Sequence, residues 1–144
     1  MKLTSMDGRQ DYLSFTSYDG NNSGIGYSIR KVYTIFPNME FFEIIATAGA
    51  HAQNCGYWII GKRDGKWVTF VSLDNLAEMG YTPHEWHRID TKINSDAKGR
   101  FILISSHQYM PPGAQYGYQM KSAVDLRLQL FWDQKAQWFG MSRL

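Results

Sequence analysis

Val124, Leu126, Leu128, Leu130 and Trp132 alternate with Asp125, Arg127 and Gln129. A period of two is the signature of a strand with one buried face, and this is its cleanest instance in the chain. A turn at 133–136 leads to a second run, Gln137 to Met141, which predicts an antiparallel return. Two further apolar runs, Tyr57–Gly61 and Trp67–Val71, flank Lys62-Arg63-Asp64-Gly65-Lys66. Asp-Gly between such runs is a strong hairpin signal, because both residues accept the positive φ that a tight turn needs. Ile89, Thr91 and Ile93 alternate with Asp90, Lys92 and Asn94, and Phe101–Ser105 returns after a turn at 95–99. Val32–Phe36 is β-branched and aromatic, and Asp11–Thr16 reads as a short strand.

The run Met39 to Thr47 fits two periods. As a helix it sets Glu40, Glu43 and Thr47 on one stripe. As a strand it puts Glu43 on one face with Phe41 and Ile45. The Phe-Phe and Ile-Ile doublets favour a strand buried on both faces. Helical signals are confined to the middle of the chain. Ser72 is placed to cap a helix over Leu73–Met79, with Asp74 in its first turn and Gly80 as its stop. Thr82-Pro83-His84-Glu85 is a second helix start, with Thr82 at the cap, Pro83 at the first position and Glu85 closing a capping box. That helix ends by His87 or Arg88. No strands alternate with helices in the βαβ manner. The pattern therefore predicts an α+β protein: a mainly antiparallel sheet, or a small partly open barrel, with a short two-helix insert near the middle.

The chain has 144 residues, room for one domain. Residues 1–30 are expected to form a loop-rich segment packed on the sheet, since 17–28 reads SYDGNNSGIGYS. Composition is 44% hydrophobic, 15% aromatic and 19% charged, which excludes disorder. The net charge of +2 lacks the basic footprint of a dedicated nucleic-acid binder. No stretch is long enough for a membrane-spanning helix, so membrane insertion is not expected. The single cysteine, Cys55, excludes an internal disulfide and the cysteine-rich zinc sites. The first residues do not read as a secretory signal. A chain rich in Tyr, Asn, Gly and Ser and poor in Glu leans towards an extracytoplasmic location if a leader once preceded Met1, and otherwise towards the cytoplasm.

Four stretches carry residues that chemistry uses. In 49–58, GAHAQNCGYW, a cysteine nucleophile would need a base and an oxyanion donor. His107 is the available base and Gln53 the available donor. The order Gln53, Cys55, His107 resembles the papain-like cysteine hydrolases. It departs from them in that their cysteine opens a helix, whereas Tyr57-Trp58-Ile59-Ile60 reads as strand. Otherwise Cys55 is a small buried residue. The second stretch is His84-Glu85-Trp86-His87. Its spacing is one residue short of the zinc-protease HExxH, so His84 and His87 would need His51 or His107 to hold a metal. A capped turn explains it without a metal.

Third, Trp67, Phe70, Trp86, Arg88, Lys92, Arg100 and Phe101 mix aromatic and basic types, as single-stranded nucleic-acid sites do. Asp64, Asp90 and Asp96 offset those charges, and nucleic acid is not the expected partner. Fourth, the loop that begins Ser105-Ser106-His107-Gln108-Tyr109-Met110-Pro111-Pro112-Gly113 continues to Tyr116 and Tyr118. Rigid aromatics on a loop between strands make a recognition surface at low entropy cost. Residues 58–76 also resemble the hairpin of a bacterial SH3-type module, through Asp64-Gly65, Phe70-Val71-Ser72 and Leu76. The spacing is imperfect and implies nothing further.

The chain shows neither a phosphate loop nor a dinucleotide fingerprint, and no cofactor is expected. The reading favoured is a small non-catalytic binding domain that recognises a protein, in the manner of an inhibitor or immunity protein. Its surface is Tyr109, Pro111, Pro112, Tyr116 and Tyr118, with Tyr18 and Tyr27 as neighbours. The alternatives are a cysteine hydrolase using Cys55, His107 and Gln53, and a small-ligand or single-stranded nucleic-acid module.

Overall fold

A computed structural model describes residues 2–4, 12–14, 25–32, 34, 36, 38–49, 53–82, 87–92, 100–115 and 120–144. Two short strands, β1 (Lys2–Thr4) and β2 (Tyr12–Ser14), pair with each other. Then come β3 (Gly26–Val32), β4 (Phe41–Ala48), β5 (Gln53–Arg63) and β6 (Lys66–Ser72), an antiparallel meander in that spatial order. The helix α1 (Leu73–Glu78) follows. Strands β7 (His87–Lys92), β8 (Arg100–Tyr109), β9 (Lys121–Asp133) and β10 (Trp138–Arg143) make a second meander.

The two sheets share one core rather than closing into a barrel. A barrel would need β6 to continue into β7 as its neighbour. Instead α1 carries the chain across, so that β7 lies against β5 while β10 lies beside β6. The inward residues come from both sheets: Phe41, Tyr57, Ile59, Phe70 and Val71 from the first, Phe101, Leu103, Leu126, Leu128 and Leu130 from the second. Val68, expected inside, is partly buried at the margin of this cluster. The β5–β6 and β9–β10 hairpins form as the alternation predicts. Asp64 and Gly65 take φ of 53° and 77° at the first of these turns.

The Phe-Phe and Ile-Ile doublets resolve as a strand buried on both sides. Phe41 and Glu43 face the shared core, and Ile44 faces away from it. Ile44 and Ile60 are nonetheless fully buried, under Tyr27, Phe42, Trp58 and Trp67. Trp58 lies so close over Gly56 that a Cβ there would sit 2.2 Å from its ring. The outer face of the second sheet is instead wet, with Arg88, Asp90, Lys92 and Arg127 exposed.

One helix, not two, forms among the described residues. Asn75 Oδ1 accepts hydrogen bonds from Ser72 N and Oγ at the start of α1. Gly80, at φ 102°, ends the turn that follows. The two-helix insert is not borne out: His87 and Arg88, where the second predicted helix was to end, belong to β7, and residues 83–86 lie outside the described residues. Capping chemistry at Thr82–Glu85 supplies no apolar helical face. From His87 onward the burial alternates with period two, His87 and Ile89 in, Arg88 and Asp90 out. Strand β3 also differs from expectation. It occupies 26–32, partly within the segment read as loop, and ends where the predicted strand begins. As an edge strand with several exposed positions it carries little apolar alternation.

Candidate functional site

Register brings three of the chemistry-bearing stretches to one end of the sandwich. His87 opens β7 and stands directly opposite His107 near the end of β8. Asn54, at the start of β5, accepts a hydrogen bond from Ile89 N through Oδ1 at 2.5 Å. This ties the Cys55 stretch to β7. The β8–β9 loop leaves from the same end.

Two bulges shape the site. Between Ala46–Gly56 and Thr47–Asn54 the register of β4 and β5 slips, leaving Cys55 as the extra residue. Between Ser105–Leu126 and Ser106–Val124 the register of β8 and β9 slips, leaving Asp125 as the extra residue. A bulge re-aims a side chain out of strict alternation. Asp125, which alternation alone sends to solvent with Arg127, accepts from His107 Nδ1 at 2.8 and 3.0 Å. Both side chains are about a quarter exposed, at 26% and 21%. The Tyr109 ring lies 5.8 Å from the His107 ring, and Tyr81 meets His87 edge-on at 5.7 Å.

A carboxylate on Nδ1 fixes the ring and leaves Nε2 as the other functional edge, the arrangement used by bases and by recognition histidines alike. Ser105, two residues back on the same strand face, is buried, and its Oγ makes no hydrogen bond. The Asp125–His107 pair is therefore not extended through Ser105 into a triad. Cys55 is buried at 6% exposure on the other sheet, which suits a packing residue and denies a nucleophile its access. Gln53 opens β5. Tyr109 is exposed, Pro111 half-buried and Pro112 exposed, and residues 111–115 line a shallow open hollow. His51, His84, Tyr18, Tyr116 and Tyr118 lie outside the described residues. Among the described residues no group of three or more His, Cys, Asp or Glu is placed to hold a metal. No described helix is long and apolar enough to cross a membrane.

The described members of the aromatic–basic set do not form one surface, and Trp86 lies outside the described residues. Phe70 and Phe101 are core residues, Trp67 lies on the outer face of the first sheet, and Arg88 and Lys92 lie on the outer face of the second.

A second polar cluster sits inside the molecule. Glu43 is fully buried. Its Oε1 accepts from Arg30 Nε at 3.0 Å and from Arg30 Nη2 at 2.5 Å. Its Oε2 accepts from Tyr57 OH at 2.7 Å and from Thr91 Oγ1. Arg30 Nη2 also donates to Thr91 Oγ1, so β3, β4 and β5 are tied to β7 of the other sheet. Burial first, then the charge of Glu43 and the bond to it, push the Tyr57 hydroxyl well above its ordinary value of 10.0, against a smaller opposing pull from Arg30.

The folded state therefore keeps a proton that the unfolded chain releases near pH 10. Stability from this group is fully present below that pH and is lost as pH rises towards the folded value. In urea titrations between roughly pH 9 and 11.5, the wild type should lose stability with a slope up to about 1.4 kcal/mol per pH unit steeper than Tyr57→Phe. Parallel slopes for the two proteins would show that Tyr57 ionises normally.

No protein-family model, curated protein or solved structure matches the chain.

Proposed function

We propose that the chain is a small non-catalytic recognition domain that docks a protein through the β8–β9 end of its sandwich. An inhibitor or immunity-type partner of an enzyme is one form this takes. The observation that carries the reading is the clustering of exposed apolar side chains. Six large ones are exposed among the described residues, and three of them, Tyr109 (37%), Met110 (42%) and Val124 (50%), belong to this hairpin. Pro111 and Pro112 stiffen the chain beside them, and the left-handed Gly113 (φ 77°) turns it. Stiff aromatic and thioether groups on a rigid scaffold bind with little ordering cost. The His107–Asp125 pair adds a fixed polar edge of the kind that sets register in an interface.

The test is site-specific photo-crosslinking in lysate of the source cells. Benzoylphenylalanine in place of Met110 should trap a discrete protein that the same probe at Lys135, at the opposite end, does not trap. Tyr109→Ser together with Val124→Ser should abolish the product. Trapping no protein from Met110, or the same proteins from both positions, would overturn the reading. A small molecule that copurifies instead would make the end a ligand site.

A further inference from the structure

At the opposite end of the sandwich, the β5–β6 turn concentrates positive charge. Residues 62–66 read Lys-Arg-Asp-Gly-Lys, three cations to one carboxylate, and all five are exposed. Among the described residues none of the three cations is ion-paired. Lys31 pairs with Glu40 at 3.3 Å, and Asp133 Oδ1 is occupied by the N–H groups of Lys135 and Ala136 in the β9–β10 turn.

A cation stands over an indole on each face of the hairpin, Lys62 over Trp67 on the outer face and Arg63 over Trp138 of β10 on the other. Lys62 Nζ stands 5.4 Å from the centre of the Trp67 ring, and Arg63 Cζ stands 5.8 Å from that of Trp138. Trp138 is 36% exposed and is braced from within by Phe70, edge-on at 5.0 Å. The molecule's small net charge of +2 thus hides an uneven distribution.

We propose that this tip, with Trp138 as its stacking platform and Arg63, Lys66 and the neighbouring Lys62 as its cations, is a second binding surface, for single-stranded nucleic acid. Stacking platforms beside unpaired cations are how proteins hold unpaired bases and their phosphates. A guanidinium resting on an indole presents its second face to a base and its N–H edge to a phosphate. A duplex hides its bases and gains nothing from the indole. An acidic peptide matches the cations alone. An anionic membrane would call for exposed apolar residues at the tip itself, where Asp64 and Gly65 stand. This surface is independent of the β8–β9 end.

The test is titration of the full chain, at low salt, with a fluorescein-labelled oligo-rU and the matching oligo-dT. Binding should quench tryptophan emission. Neutralising three phosphates predicts a slope of about −2 for log K against log salt. Arg63→Glu and Lys66→Glu should each weaken binding about tenfold or more, whereas Lys121→Glu at the far end should change it less than about twofold. Trp138→Ala should weaken it about tenfold with the salt slope unchanged. The charge changes lie on an exposed turn, so thermal melts should match the wild type. The proposal is overturned if neither strand binds, or if the tip variants bind as the wild type does. It is equally overturned if duplex, polyglutamate or phosphatidylserine vesicles bind as tightly as the single strands.

Discussion

Replacing Phe70 with alanine should cost about 3–5 kcal/mol, a large fraction of the marginal stability of a domain of this size. Phe70 is fully buried and is the extra residue where β6 slips against β5, between the Ile59–Val71 and Ile60–Thr69 pairs. The bulge turns its ring into the seam between the sheets. There it meets Phe41 at 5.7 Å, Trp132 at 5.1 Å, Trp138 at 5.0 Å and Phe139 at 6.0 Å. Phe41, Trp132 and Phe139 also pack on one another, at 4.8, 4.9 and 5.3 Å between ring centres. Mostly edge-on and tilted contacts of this kind add to the gain from burial alone. Truncating the shared member removes its own transfer energy and leaves a cavity that four rigid rings cannot collapse to fill. Val68, one turn of the pleat away and only partly buried, is the contrast. Val68→Ala should cost about 1 kcal/mol, because its site opens to water. Urea denaturation followed by tryptophan emission measures both. A loss below about 1.5 kcal/mol for Phe70→Ala would show that the sheets are not joined through this cluster.

How much of this was legible follows from which forces were local. The β9 alternation from Leu126 on, the Asp64-Gly65 turn and the Ser72-to-Gly80 helix limits are written in adjacent residues, and the structure has each of them, whereas Val124, which the alternation puts on the buried face, lies beyond the β8–β9 bulge and is exposed. The doublets in β4 correctly signalled a strand with two buried faces. What covers the outer of these faces is a matter of tertiary packing. The second helix was a misreading of the same local kind: Thr82, Pro83 and Glu85 look like a helix start, but the residues after them bury every second position. Asp125 shows the opposite failure. In a regular strand it would face solvent, and only a one-residue slip between β8 and β9 turns it onto His107. Such slips depend on how two strands meet, which neither strand's pattern records. The same holds for the meeting of His87 and His107, twenty residues apart and opposite in register. For the candidate site, then, the residue types were visible in the chain, and their convergence on one end was not.

Glu43→Ala should cost about 3 kcal/mol, far more than an alanine exchange at an exposed glutamate. The carboxylate is fully buried and gathers donors from β3, β5 and β7. Removing it strands the Tyr57 hydroxyl inside the core and leaves the Arg30 guanidinium short of its counter-charge. Breaking one side of a buried pair typically costs about 3–5 kcal/mol. The lower figure applies here because the Arg30 side chain is 41% exposed and can turn towards water. Tyr57→Phe removes one donor and leaves the carboxylate with two partners, so it should cost only about 1 kcal/mol. The double variant discriminates between a network and a sum. If Tyr57 is destabilising in Glu43→Ala because its hydroxyl has lost its acceptor, then Glu43→Ala with Tyr57→Phe should cost less than the two single losses added, by about 1 kcal/mol. The cluster also spans the sheets, since Thr91 of β7 both donates to Glu43 and accepts from Arg30. Amide hydrogen exchange in β7 should therefore quicken in Glu43→Ala more than exchange in β9, which is paired on both sides. Strictly additive losses, with β7 and β9 equally affected, would reduce Glu43 to an ordinary core contact and remove its role as the polar tie between the two sheets.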